Sequence, residues 1–274
     1  MATTASRVEA RARSAGRSRW VERAGRIGLG AKGVSYALIG VLALQVAIGH
    51  RGRTSDRQGV LRQLSTESWG PYALGALAIG FAGYALWRFV DATLDRQGEG
   101  ADAGGLAKRA KAFGVGVIYV GSAAAAVSLM LSDNAAGGNE KQETARVLDW
   151  PAGRWLVLAV AAGFVGAGLY NLYRGVARRF RERLERGRMH GQVERWTIAS
   201  GVTGHLARGV VFGLVGVFLG KAAIEYDPDE AIGIDGALAK LVHQPAGPFL
   251  LGAVAAGLVA YALYCLVEAR YRRI

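Results

Sequence analysis

The chain has 274 residues, 51% of them hydrophobic, yet carries 34 Lys and Arg against 21 Asp and Glu, a formal net charge of +13. The apolar residues gather in long uncharged blocks with the basic residues between them, a distribution that excludes a soluble core-and-surface domain. Cys265 is the single cysteine, which rules out an intramolecular disulfide or a cysteine metal cage; its neighbours Tyr264 and Leu266 point to a buried, inert thiol.

Residues 1–19 read as a basic, disordered cytoplasmic arm rather than a targeting peptide, because no small-residue cleavage pattern follows a short apolar stretch. Gly28, Gly30 and Gly33 fit a loose dinucleotide-loop pattern, but they open a spanning helix with no preceding strand, so the match is spurious. Uncharged runs then follow at 33–49, 71–87, 112–132, 155–173, 209–220 and 245–267. About 20 residues at about 1.5 Å each cross a hydrocarbon layer of roughly 30 Å, so the runs predict six spanning helices. The fifth is the shortest, bracketed by Arg208 and Lys221, whose side chains are expected to snorkel toward opposite headgroup layers.

Lys and Arg beside span ends favour the cytoplasmic side. Arg7, Arg11, Arg13, Arg17, Arg19, Arg23 and Arg26, then Lys108, Arg109 and Lys111, then the 174–195 loop, and finally Arg270, Arg272 and Arg273 share one side of a six-span chain. The other side holds Glu140, Glu143 and Asp149, then Glu225, Asp227, Asp229, Glu230 and Asp235; Arg51, Arg53, Arg57 and Arg62 depart from the bias. Both termini are therefore expected in the cytoplasm of a bacterium, with the chain in its cytoplasmic membrane. The 174–195 loop reads as a helix continuing out of the fourth span, with Arg178, Arg179, Arg181 and Arg183 on anionic lipid headgroups at about 1 kcal/mol each.

The chain also aligns with itself, in hairpin repeats at 20–95, 104–186 and 193–274. Gly70-Pro71-Tyr72, Gly75, Gly80, Tyr84 and Asp91 return as Gly247-Pro248-Phe249, Gly252, Gly257, Tyr261 and Glu268. Lys32-Gly33-Val34, Tyr36 and Gly40 return as Arg208-Gly209-Val210, Phe212 and Gly216. The middle copy keeps Gly116, Val117 and Tyr119 but has Val115 at the basic position and Arg174 at the acidic one. Gly59-Val60-Leu61 matches Gly236-Ala237-Leu238, so each outer loop is expected to carry a short amphipathic helix at the membrane surface. Gly33, Gly40, Gly116, Gly209 and Gly216 are the small residues expected to let helices pack closely. This pattern resembles the bacterial three-repeat, six-helix membrane proteins catalogued as domain of unknown function 1206. The resemblance implies an all-α polytopic membrane bundle of six transmembrane helices, pseudo-three-fold, and transfers no catalytic residue.

Lys32 and Asp91, and Arg208 and Glu268, stand at the expected cytoplasmic ends of their hairpins and are candidate structural ion pairs. His50, His190, His205 and His243 are scattered without metal-ligand spacing, His205 reading as an interfacial polar residue. No nucleophile with a base and no paired acids appear, so the chain reads as no enzyme, with neither catalytic residue, metal nor cofactor. Its expected partners are anionic lipid headgroups and a membrane protein, not nucleic acid. The leading functional expectation is a scaffold or accessory subunit. The alternative is a small channel or carrier with its path along the repeat axis, which a polar central cavity would favour over a packed apolar one.

Overall fold

The computed structural model describes residues 19–49, 69–94, 102–131, 140–184, 189 and 191–272. Most of the basic arm, the first outer loop with its expected helix, and Arg186, Arg188, His50, His190 and Arg273 lie outside the described residues. Long apolar stretches become helices because lipid offers backbone N–H and C=O groups no partner but each other. Among the described residues these helices are α1 (Arg19–Ala47), α2 (Gly70–Leu94), α3 (Ala103–Leu131), α4 (Glu140–Leu148), α5 (Gly153–Val176), α6 (Gly191–Glu225), α7 (Ile234–Val242) and α8 (Gly247–Tyr271). The first, second, third, fifth, sixth and eighth are long and apolar enough to cross a bilayer. The protein is an all-α, polytopic membrane bundle of three hairpin repeats. The face where α1 begins and α8 ends is its terminal face; the opposite, far face carries α4 and α7.

Two expectations about helix length are corrected. The fifth span is not short: α6 runs 35 residues, about 52 Å, so it projects well beyond the hydrocarbon layer and Arg208 falls at its midpoint rather than its end. The helix out of the fourth span does not continue either. α5 stops at Val176, Arg178 takes a left-handed conformation (φ 53°), and a short 3-10 helix follows at Arg179–Arg183. The reversal buries Phe180 completely, stacked on His205 with ring centroids 5.1 Å apart. Burying that ring outweighs the turn's strain.

The glycine that opens the second spanning helix has a steric role in repeats two and three. A Cβ on Gly153 would collide with the Val147 carbonyl that ends α4, and one on Gly247 with the Val242 carbonyl that ends α7. Glycine therefore lets each short far-face helix turn directly into the next span, and Pro248 follows in the first turn, where its missing N–H costs nothing. On that face Tyr226 donates its hydroxyl to the Leu148 carbonyl at 2.7 Å, tying the end of α6 to α4. Glu230 accepts from Lys221 at 2.9 Å and Lys240 at 3.1 Å, joining α6 to α7.

The spans follow one another around the repeat axis in chain order, and the tightest packing lies between repeats: α8 on α1, α2 on α3, and α5 on α6. Gly33 lies against Ala262 and Cys265 of α8, Gly40 against Val259, Gly116 against Phe89 of α2, Gly209 against Leu172 of α5, and Gly216 against Val165. Within repeats one and three the hairpin helices also touch, α1 on α2 and α6 on α8. In the middle repeat α3 and α5 scarcely meet, so the six-helix ring is open at that hairpin.

A cationic cavity on the repeat axis

The open hairpin traces to single positions. Gly28 of α1 sits against the backbone of Tyr84, and its repeat counterpart Gly204 sits against the backbone of Tyr261, with Cα atoms 2.6 Å from where a Cβ would stand in both cases. The middle repeat has Lys111 there, a side chain that cannot enter such a contact. Gly80 and Gly257 likewise meet Ala31 and Ala207, whereas their counterpart Gly163, and Gly114 where the alanines stand, meet nothing within 4 Å.

Between the splayed helices and the closed part of the ring lies a cavity of about 720 Å³, lined by all six spans. Its walls run from Asp91, Lys108, Arg109 and Arg272 near the terminal face to Tyr36, Ile118, Val160 and Phe212 at mid-depth. Basic residues dominate: Lys32, Arg88, Lys108, Arg109, Lys111, Arg174, Arg208 and Arg272 line it, with Asp91 and Glu268 as the acidic members. Tyr36, Tyr84, Tyr119, Tyr170, Tyr261, Tyr264, Asn171 and His205 supply the remaining polar groups.

The expected Lys32–Asp91 and Arg208–Glu268 ion pairs are replaced by other partners, for a reason of register. With Gly28 opposite Tyr84, Lys32 lies four residues deeper on α1 while Asp91 lies seven residues closer to the terminal face on α2. The two are thus separated by about 16 Å along the axis at about 1.5 Å per residue, and Gly204 opposite Tyr261 imposes the same offset on Arg208 and Glu268. Each acid instead pairs on its own helix, Asp91 with Arg88 at 3.3 Å and Glu268 with Arg272 at 2.7 Å. A partner three or four residues away is already on the same helix face.

Lys32 and Arg208 turn inward to one phenol. Lys32 donates to the Tyr261 hydroxyl at 2.9 Å and Arg208 donates to the same oxygen at 2.6 Å. The Lys32 ammonium also lies 5.2 Å from the Tyr261 ring centre, and the Arg208 guanidinium lies 4.5, 4.9 and 5.2 Å from those of Tyr261, Phe212 and Tyr36. Aromatic faces soften the cost of two half-buried cations by roughly 0.5–2 kcal/mol each, less than the several kcal/mol that desolvating an ion requires. Neither cation reaches a carboxylate among the described residues. Arg88 Nε, Arg208 Nε, His205 Nε2 and the Tyr264 hydroxyl, all on cavity-lining residues, are buried without a hydrogen-bond partner among the described residues. His205 is fully buried rather than interfacial, its Nδ1 donating to the Gly201 carbonyl at 2.7 Å.

The other sequence candidates lie elsewhere. Arg178 and Arg179 are exposed near the terminal face, Arg179 paired with Glu182 at 2.8 Å. Arg181 is half-buried against Glu194 at 2.8 Å, and the Arg183 side chain lies outside the described residues. Sequence reading took Arg26 and Arg109 only as topology markers, yet they occupy equivalent repeat positions and do equivalent work. Arg26 donates to the carbonyls of Ala269 and Arg270, and Arg109 to those of Ala92 and Thr93, so each caps the C-terminus of the last helix of the repeat packed beside its own. Their 83-residue spacing was the signal that could have found them.

The chain is 34% identical over 253 residues to "Uncharacterized protein YxxB" of Bacillus subtilis (strain 168), covering 92% of each chain. No solved structure matches it. The family profile described as Domain of Unknown Function (DUF1206) matches residues 27–95, 110–178 and 203–272, the same register in which Lys32, Val115 and Arg208 superpose. The protein belongs to that family, with one copy of the domain in each hairpin.

Proposed function

We propose that this membrane protein binds an anionic solute in the axial cavity and acts as a carrier, the alternative drawn from the sequence, rather than as a scaffold. The observation that carries the reading is the convergence of Lys32 and Arg208 on Tyr261, two cations at mid-helix with no carboxylate beside them among the described residues. An anion entering between them would recover the hydration both have lost. The lining stops at mid-depth, at Ile118, Val160 and Phe212, which suits a carrier open to one face better than a continuous channel. The same reading assigns the protein no bond-making chemistry, no cofactor and no nucleic-acid partner.

The basic bias supports both termini in the cytoplasm and the chain in the cytoplasmic membrane, so the cavity would face inward. Reporter fusions at each terminus test that orientation. Thermal-shift titration of the detergent-purified protein with inorganic phosphate, sulfate and small carboxylates tests the anion site. Saturable stabilisation that Lys32→Gln and Arg208→Gln abolish is expected; a midpoint indifferent to every anion would return the scaffold to first place.

A further inference from the structure

The cavity's most thinly packed wall is the one between α3 and α5. α3 and α5 bury the smallest share of their apolar stretches among the six spans, 22% each against 39% to 50% for the others. Ile118, Val160 and Tyr170, on the two helices that scarcely meet, line the cavity and are 61%, 44% and 42% exposed, so the wall there is a seam of uncovered side chains. Gly114, Gly163 and Gly166 leave that seam without side chains, none meeting another atom within 4 Å of where a Cβ would stand. Lys111 reaches across it, its ammonium 4.1 Å from the centre of the Tyr170 ring.

Polarity is graded across the seam. Val115 stands where repeats one and three have Lys32 and Arg208, so the α3 wall is apolar at the depth where the α1 and α6 walls are cationic. Farther inside are Arg208 Nε and the Tyr264 hydroxyl, buried and without a hydrogen-bond partner among the described residues. A freely soluble anion has no use for an apolar slot open to lipid tails, whereas an acidic lipid has both halves of the match.

We propose that the ligand is an anionic lipid amphiphile that enters sideways between α3 and α5, placing its headgroup by Lys32 and Arg208 and leaving an acyl chain in the glycine-lined seam. The Lys111–Tyr170 contact is the latch it displaces. This rests on the anion-site reading above and names its substrate class.

The test uses the full chain in neutral detergent micelles doped with equal phosphatidylglycerol and phosphatidylcholine, read by native mass spectrometry, with inorganic phosphate titrated separately. The unaltered protein should retain one phosphatidylglycerol selectively. Gly114→Leu with Gly163→Trp should fill the seam and cut that retention at least tenfold while phosphate still binds, whereas Lys32→Gln with Arg208→Gln should lose both ligands. Arg178→Gln with Arg179→Gln, on the exposed surface, should keep the lipid. Equal retention of both lipids, retention undiminished by the filled seam, or a second protein chain held there instead would overturn lateral lipid entry. Loss of phosphate binding nowhere in the series would overturn the anion site itself.

Discussion

The first and third hairpins are closed and the middle one is open, although all three descend from one sequence pattern. In the closed hairpins Gly28 and Gly204 admit the backbones of Tyr84 and Tyr261; in the open one Lys111 stands at that point and Ala167 replaces the tyrosine. Two substitutions at one level of one interface thus separate a packed helix pair from a cavity wall. Small residues decide membrane helix association because lipid tails compete on equal terms with loosely fitted side chains. The same repeat also lost its inward cation to Val115, so opening and loss of charge fall on the same side of the axis.

The comparison can be broken most severely at the closed hairpins. Gly28→Leu forces a side chain into the Tyr84 backbone and should cost about 3 kcal/mol or more, seen as loss of the monodisperse peak in size-exclusion chromatography; Gly204→Leu should behave alike. Next comes the cation pair. Arg208→Met keeps much of the packing, removes a half-buried charge that has no acid beside it among the described residues, and should raise the melting temperature, by about 1 kcal/mol of stability, while abolishing phosphate-induced stabilisation. A fall in melting temperature would make Arg208 a structural residue.

Smaller effects sharpen the contrast. Arg109→Gln leaves the Ala92 and Thr93 carbonyls uncapped and should cost about 1 kcal/mol, with Arg26→Gln close to it in thermal melts. Gly163→Ala, in the open hairpin, meets nothing and should add about 0.5–1 kcal/mol through helix propensity alone, the opposite sign to any substitution at Gly28. On the far face, hydrogen bonds from Lys221 and then Lys240 hold the Glu230 carboxyl below its ordinary range. A carboxylate lowered in the folded state stabilises above its unfolded pKa and loses that contribution as pH falls through the folded value. Melting curves from pH 6 to pH 3 should therefore decline slightly more for the unaltered protein than for Glu230→Gln.

Much of the architecture was legible because it is written locally. Hydropathy blocks locate spans wherever lipid excludes water, and the recurrence of Gly-Pro-aromatic and basic-Gly-Val segments marks the repeats without knowledge of how they pack. The cavity residues were only half legible. Lys32, Asp91, Arg208 and Glu268 were recognised as matched charges, but their partners depend on the axial register of one helix against another. That register is set by Gly28 on Tyr84 and Gly204 on Tyr261, contacts between residues more than fifty positions apart. Phe180 gave no signal because its burial needs His205 and Tyr264 from two other helices.

Six spans and three repeats follow from the sequence by itself, since each span is chosen by its own transfer from water to lipid. Only the tertiary structure decided where the ring opens, that Lys32 and Arg208 share the Tyr261 hydroxyl, and that the carboxylates pair with arginines on their own helices. Those outcomes turn on a few ångströms of sliding between packed helices, which hydropathy does not encode and the placement of single glycines does.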